Sequence, residues 1–194
     1  MIKAWSYIEE YKDLRKKILK SIDVTLKSGQ IFFGKELRKF EKRFIKENNL
    51  KYGVAVGSGT DALYIALLGL GIKEGDEVIT VSNTAIPTVS AIKKCGAKTI
   101  FVDIGSDYLI NPNNIEKCIS KNTKAIIPVH LYGQSCDMEK ICKIAKKYNL
   151  KINTLDPLEM LGVFPFIQLK YWELMEMVDL FLQIHLIYIK KLNG

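Results

Sequence analysis

Apolar residues near the amino terminus recur at every third or fourth position. This period predicts one helix from about Glu9 to Lys27 and a second from about Lys35 to Asn48. In the second helix it places Leu37, Phe40 and Phe44 on one stripe, which we expect to pack in a core. The chain therefore begins with a helical segment.

After this segment, short β-branched runs alternate with helical patterns. Five strands are expected, at Val54–Val56, Glu77–Val81, Lys98–Val102, Lys124–Val129 and Leu150–Ile152. Pro87 and Pro112 are expected to open helices. Asn111 is expected to cap the helix that Pro112 opens, and Asp137 to cap a later helix. Strands and helices that alternate at this spacing predict an α/β fold, with a mainly parallel sheet, right-handed crossovers and helices on both faces. We divide the chain into a helical segment (1–50), an α/β part (51–152) and a tail (153–194).

The stretch Gly57-Ser58-Gly59-Thr60 joins the first expected strand to a helix. A glycine turn at a helix N-terminus directs free N–H groups and the positive end of the helix dipole to one place, which favours an anion such as phosphate. Two plainer interpretations stay open. The glycines can simply make a tight turn, or Gly57-x-Gly59-x-x-Ala62 can belong to a dinucleotide-binding dehydrogenase fragment. The dinucleotide hypothesis lacks the acidic residue expected at the end of the next strand, which ends with Thr80 to Asn83.

Polar residues also follow the other expected strands, where parallel sheets bind ligands. They are Asn83, Thr84, Asp103, His130 and Tyr132. Together with the glycine turn they are expected to line one pocket. Each has a structural alternative, as a turn former, a cap or a core histidine with its hydrogen bonds satisfied.

Composition excludes several classes of function. The net charge is +8, but acids are interleaved with the lysines and no nucleic-acid-binding motif is present, so no nucleic-acid partner is expected. The four cysteines lack metal-site spacing, so no metal is expected. The amino terminus is not a signal peptide, and the apolar run Val178–Ile189 is too short and polar to cross a membrane. We expect a cytoplasmic protein with reduced thiols and no membrane partner.

As a set, the motifs of this chain resemble the DegT/DnrJ/StrS family of sugar aminotransferases, which use pyridoxal phosphate. The matching stretches are Phe40-Glu41, Gly57–Leu63, Leu70–Ile79, Thr84–Ile92, Val102-Asp103 and Ala125–Gln134. The resemblance covers about residues 25 to 152. It implies part of a fold-type I large domain and a homodimer. It also implies transfer of an amino group from an amino acid to a nucleotide-linked keto-sugar, in polysaccharide or deoxy-sugar synthesis.

The resemblance also implies roles for single residues. Ser58, Gly59 and Thr60 would hold the cofactor phosphate. Ala85 stands where many members place an aromatic residue that stacks on the cofactor ring, and alanine cannot stack. Four of the residues that follow the strands are the substrate-side candidates: Asn83, Thr84, His130 and Tyr132.

After Ile152 the chain departs from the family pattern. Neither the acidic motif that pairs with the pyridine nitrogen nor the motif around the Schiff-base lysine follows. Lys170 lacks the neighbours of that lysine, so we assign no catalytic residue. We expect an inactive, truncated form to which the cofactor is not covalently attached. The alternative is that the chain is not an enzyme but a non-catalytic module that binds a phosphate ligand.

The genetic code suggests a frameshift, coupled to loss of the segment that held the acidic motif, as the origin of the tail. The alternate frame combines the third base of each codon with the first two bases of the next. In that frame Tyr171-Trp172 must encode Leu, and Trp172-Glu173, Met175-Glu176 and Met177-Val178 must each encode Gly. This is the family spacing Leu-Gly-x-x-Gly-x-Gly, and Leu169-Lys170 can encode the lysine before it.

Overall fold

Two helices form the first part of the molecule. The computed structural model describes residues 8–47, 52–131 and 133–153. Helix α1 spans Ile8–Lys27 and helix α2 spans Lys35–Glu47, so both predicted helices are confirmed. The apolar stripe of α2 was expected to be buried in a core, and the structure buries it only partly. Its apolar residues are only half-buried, although the rings of Phe40 and Phe44 pack with centroids 6.2 Å apart.

A four-stranded sheet forms the centre of the second part. Its strands are β1 (Glu77–Thr80), β2 (Lys98–Phe101), β3 (Thr123–Ile126) and β4 (Lys151–Ile152). The order across the sheet is β2-β1-β3-β4, and every neighbouring pair is parallel. The predicted α/β class with a parallel sheet is therefore confirmed, and the carboxyl ends of all four strands lie at one edge.

The strand expected at Val54–Val56 is wrong. This segment is half-buried, but it contains one single-residue bridge position, Ala55, and belongs to no strand of the described sheet. The N–H of Ala55 donates instead to Oε1 of Glu41 in α2, over 3.0 Å. Because a side chain satisfies this backbone donor, the segment obtains a hydrogen bond without a strand ladder.

Four helices pack around the sheet. They are α3 (Gly59–Gly69), α4 (Ile86–Lys94), α5 (Pro112–Ile115) and α6 (Met138–Tyr148), and a 3-10 turn follows α5 at Glu116–Cys118. The predicted caps are confirmed. The side chain of Asn111 accepts the N–H of Asn113, and that of Asp137 accepts the N–H of Lys140.

The core lies between the sheet and these helices. Its fully buried members include Leu67 of α3, Ile79 of β1, Ile92 of α4, Ile126 of β3 and Ile141 of α6. β1 and β3 are central strands, and their burial on both sides explains why they read as apolar runs in the sequence. The predicted tail lies outside the described residues, apart from Asn153.

Candidate functional site

The glycine turn at the start of α3 presents two backbone donors. Ser58 is the N-cap residue, with an extended backbone (φ −161°), and its Oγ accepts the N–H of Asp61 over 3.1 Å. The carbonyl of Ser58 accepts the N–H of Ala62 over 3.0 Å. Within residues 8–47, 52–131 and 133–153, no acceptor is found for the N–H groups of Gly59 and Thr60. These two donors can therefore bind an anion at the positive end of the helix.

A carboxylate stands beside this turn, and its charge is partly offset. Asp61 accepts a hydrogen bond from Ser58 Oγ at 2.8 Å, and the Nζ of Lys94 lies 4.0 Å from its Oδ1. The same Nζ lies 4.3 Å from the centroid of the Tyr64 ring. The Asp61 and Lys94 side chains are 44% and 55% exposed, so their ion pair is a weak one. Sequence reasoning missed Lys94, because nothing in a linear pattern links it to Asp61, 33 positions earlier.

The loop after β1 carries three predicted site residues. Asn83 donates from Nδ2 to the carbonyl of Tyr108 over 3.2 Å. The hydroxyls of Thr84 and buried Thr88 lie 2.7 Å apart. Ala85 is the exposed N-cap residue of α4, and its methyl group makes no capping bond. Asn83 and Thr84 thus order the loop that presents Ala85.

His130 follows β3 and is buried, with 8% of its surface exposed. Its Nδ1 accepts the N–H of Cys136 over 2.9 Å, an arrangement that assigns the ring proton to Nε2 in the neutral form. The Cys136 thiol donates to the carbonyl of Val129, and burial raises the pKa of this thiol. His130 therefore shapes the turn that follows it. Tyr132, predicted beside it, lies outside the described residues.

Several of these residues follow strands that end at the same edge of the sheet. Asp103 follows β2, Asn83 follows β1, His130 follows β3 and Asn153 follows β4. The turn faces the same edge, because α3 ends where the chain leads into the amino end of β1. Asn153 was not predicted. Its Nδ2 is buried and has no hydrogen-bond partner in the part of the chain that the structure describes.

A cavity of about 440 Å³ opens at the opposite edge of the sheet. Lys73, Lys121, Lys124 and Lys151 line it, but so do the C-terminal ends of α3 and α6. Helix C-termini carry negative partial charge and oppose the binding of an anion. We assign the site to the carboxyl edge, where a helix N-terminus supplies the donors.

The described ranges contain neither a membrane-spanning helix nor a metal-binding cluster. No helix there is long and apolar enough to cross a lipid bilayer. No group of three or more histidine, cysteine, aspartate or glutamate side chains in these ranges is placed to hold a metal ion.

Comparison with known proteins assigns residues 12–154 to the DegT/DnrJ/EryC1/StrS aminotransferase family. The chain is 40% identical over 150 residues to dTDP-3-amino-3,4,6-trideoxy-alpha-D-glucose transaminase of Micromonospora megalomicea subsp. nigra, covering 77% of this chain and 40% of that protein. It is 46% identical over 140 residues to dTDP-3-amino-3,6-dideoxy-alpha-D-galactopyranose transaminase of Aneurinibacillus thermoaerophilus, covering 71% and 38%. The chain thus spans about two fifths of the length of these curated relatives.

A solved structure of similar fold contains a cofactor. NtdA from Bacillus subtilis, with bound pyridoxamine phosphate (PMP), superposes with a TM-score of 0.72 at 40% identity, covering 73% of this chain and 33% of NtdA. The family match covers most of the chain, and the sequence and structural similarities agree with it. The chain belongs to the DegT/DnrJ/EryC1/StrS aminotransferase family.

Proposed function

We propose that this chain contributes the cofactor-phosphate site of a pyridoxal-phosphate-dependent aminotransferase acting on nucleotide-linked keto-sugars. The observation that carries the proposal is the start of α3, where the N–H groups of Gly59 and Thr60 have no acceptor among the described residues. When bound, pyridoxal phosphate supplies the electron sink through which an amino group passes from an amino acid to a carbonyl compound.

The residues of the turn have different proposed roles in binding the phosphate. Gly59 and Thr60 donate their backbone N–H groups, and the Thr60 hydroxyl can add one more hydrogen bond. Ser58 caps the helix by accepting the N–H of Asp61, and its hydroxyl donates to the Asp61 carboxylate. Lys94 reduces the repulsion between Asp61 and the ligand.

The residues at the carboxyl edge orient the rest of the cofactor and the substrate. Ala85, at the N-cap of α4, would face the cofactor ring, and its methyl group could not stack on that ring. Asn83 and Thr84 fix the loop that presents Ala85. His130 and Tyr132 are the substrate-side candidates after β3.

We further propose that this chain alone does not catalyse transamination, because the Schiff-base lysine motif is missing from its sequence. A transaminase would convert pyridoxal phosphate to PMP in the presence of an amino acid faster than buffer does. We expect no such acceleration with a panel of amino-acid donors. Turnover above the buffer rate would contradict the proposal.

The origin of the tail is tested by the gene. We propose that a frameshift, coupled to loss of the segment that held the acidic motif, follows Ile152. The forced Leu and Gly residues in the alternate frame support this proposal. The DNA from the codon of Leu150 onward should keep that frame open and encode lysine across Leu169-Lys170. Stop codons in that frame, or codons that cannot give lysine there, would remove the hypothesis.

Cofactor binding is best tested with PMP. Unlike pyridoxal phosphate, PMP has no aldehyde and cannot form Schiff bases with the many lysines of this chain. Pyridoxamine, which lacks the phosphate, is the matched control. Because charge-assisted hydrogen bonds supply the phosphate contacts, PMP should bind at least about tenfold more tightly. Equal dissociation constants in equilibrium dialysis would refute the assignment of the turn.

A non-catalytic phosphate-binding module is the second candidate, and the missing lysine motif favours it. Borohydride reduction in the presence of pyridoxal phosphate separates the two. Cofactor linked to one lysine at stoichiometric yield would indicate an enzyme. Saturable binding of PMP without such a link would indicate a module.

A homodimer in the cytoplasm is part of the proposal. The exposed apolar side chains of α1, such as Ile22 and Leu26, offer a surface that a second copy could bury. The four cysteines are unpaired thiols, as a reducing compartment would leave them. Sedimentation equilibrium of the purified chain should give twice its mass of 22.1 kDa.

A further inference from the structure

We infer that Glu41 is a positioning residue for the phosphate-binding turn, acting from α2 through the backbone of Ala55. The inference rests on the proposed function, since it concerns how the same turn is held. Oε1 of Glu41 accepts the N–H of Ala55 over 3.0 Å, across 14 positions of sequence. Both residues are half-buried.

This bond joins the segment before the turn to α2. Ala55 occupies a single bridge position in that segment, and no strand of the described sheet pairs with the segment. A half-buried N–H without an acceptor is costly, so the Glu41 carboxylate is the group that satisfies this donor. A charged acceptor also makes a stronger hydrogen bond than a neutral one.

The bond is close enough to the turn to control its position. Only Val56 separates Ala55 from Gly57, and Ser58 is fixed on the other side by its capping bonds. The turn is therefore held between two anchors, one on each side. Backbone donors must stay within about 0.5 Å of their productive positions to bind a phosphate well. Loss of the Glu41–Ala55 hydrogen bond should therefore misplace the N–H groups of Gly59 and Thr60 without unfolding α3.

A merely structural role for Glu41 makes a different prediction. As a simple tie between α2 and the rest of the molecule, its loss would lower stability and leave the ligand affinity of the folded protein unchanged. A positioning role lowers affinity as well, and a neutral acceptor of the same shape should restore it. Affinity and local protection must therefore be measured together with stability.

The test compares three variants of the full chain. Glu41→Ala removes the acceptor, and Glu41→Gln retains an acceptor oxygen without the charge. Glu36→Ala is the matched control, because Glu36 is an exposed carboxylate of the same helix whose partner is Lys39, at 2.7 Å. The measurements are the PMP dissociation constant, the hydrogen-exchange rate of the Ala55 amide, and the thermal midpoint.

With Glu41→Ala, the Ala55 amide should exchange at least about tenfold faster, and the PMP dissociation constant should rise about tenfold. Glu41→Gln should stay within about threefold of the unsubstituted chain in both, because it keeps most of the hydrogen bond. Glu36→Ala should change neither. If Glu41→Ala fails to fold, Glu41→Gln decides: PMP binding should weaken only to the extent that exchange of the Ala55 amide speeds up, and a change in one without the other would overturn the inference.

The outcomes separate this inference from the proposed function. If the unsubstituted chain binds PMP no better than pyridoxamine, the proposed function fails, and the role of Glu41 fails with it. If the unsubstituted chain prefers PMP but folded Glu41→Ala binds it equally well, only the role of Glu41 fails.

Discussion

The two described parts of this molecule bury their apolar residues very differently. In the α/β part, Ile79, Ile92 and Ile126 are completely buried between strands and helices. In α1, apolar residues at the same kind of helical spacing remain exposed, with Leu19 at 45% and Leu26 at 58%. Amphipathic periodicity predicted both sets of helices correctly, but it says nothing about whether a partner covers the apolar face.

The difference indicates where the stability of the described chain resides. The parallel sheet and its helices form one continuous core, whereas α1 and α2 contain no fully buried apolar residue. Substitutions in the two parts should therefore have very different effects on the free energy of unfolding. The largest loss is expected where a fully buried apolar side chain is removed from the α/β part.

Removal of a buried side chain should have the largest effect. Ile126 of β3 pairs in register with Ile79 of β1 and is fully buried. Ile126→Ala should lower the free energy of unfolding by about 2–5 kcal/mol, since it creates a cavity. Leu19→Ala in α1 should cost about 0.5 kcal/mol or less, because Leu19 is already exposed. Urea denaturation measures both values, and equal costs would mean that a partner covers α1 in solution.

Removal of a hydroxyl should lower the free energy of unfolding by a smaller amount, and again more in the α/β part than in α1. Thr80 is fully buried at the end of β1 and donates to the carbonyl of Ile127 over 3.0 Å. Thr80→Val should cost about 0.5–1.5 kcal/mol. Thr25 of α1 donates to the carbonyl of Ser21 over 2.9 Å in an exposed position, where water can replace the bond. Thr25→Val should be close to neutral, and a cost as large as that of Thr80→Val would contradict the comparison.

The buried thiol of Cys95 should make stability depend on alkaline pH. Burial raises the pKa of Cys95 from 9.0 to about 11, against the opposing charge of Lys94. The folded state therefore holds the proton more tightly. The contribution of the protonated Cys95 thiol to the free energy of unfolding is complete below pH 9 and is lost as the pH rises through 11. The stability difference between the unsubstituted chain and Cys95→Ala, which cancels other titrations, should shift against the unsubstituted chain over this interval. A constant difference would show that the thiol is accessible.

Removal of a surface ion pair should have the smallest effect. Lys27 Nζ lies 2.8 Å from Asp23 Oδ2, but the two side chains are 75% and 58% exposed. Lys27→Ala should change the free energy of unfolding by less than about 0.5 kcal/mol. A larger loss that vanishes in 1 M salt would indicate that α1 lies against a charged surface in solution.

Local sequence signals predicted most of the elements. The caps Asn111 and Asp137 and the period of each helix fixed element type and order, because these signals depend on neighbours in sequence. The strand at Val54–Val56 was predicted wrongly, since β-branched residues favour an extended chain but cannot reveal whether a paired strand exists. Phe40 and Phe44 were expected in a core and are only half-buried, for a similar reason. An apolar stripe on a helix does not reveal whether other residues cover it.

The candidate site was predictable only in part. The turn at Ser58–Thr60 and the polar residues after the strands follow from local sequence and from the rule that ligands bind at carboxyl ends. The charge of Lys94 near Asp61 and the tie from Glu41 to Ala55 join residues far apart in sequence. Such contacts depend on tertiary packing, and no single-sequence pattern records them.

The central claim is that the start of α3 binds the cofactor phosphate, and a titration with PMP followed by backbone-amide NMR tests it most directly. We predict that the largest shifts occur at the amides of Gly59 and Thr60, while residues 8–40 stay unaffected. Pyridoxamine should leave those two amides unchanged. Largest shifts around the lysine-lined cavity at the opposite edge, near Lys73 and Lys121, would contradict the account.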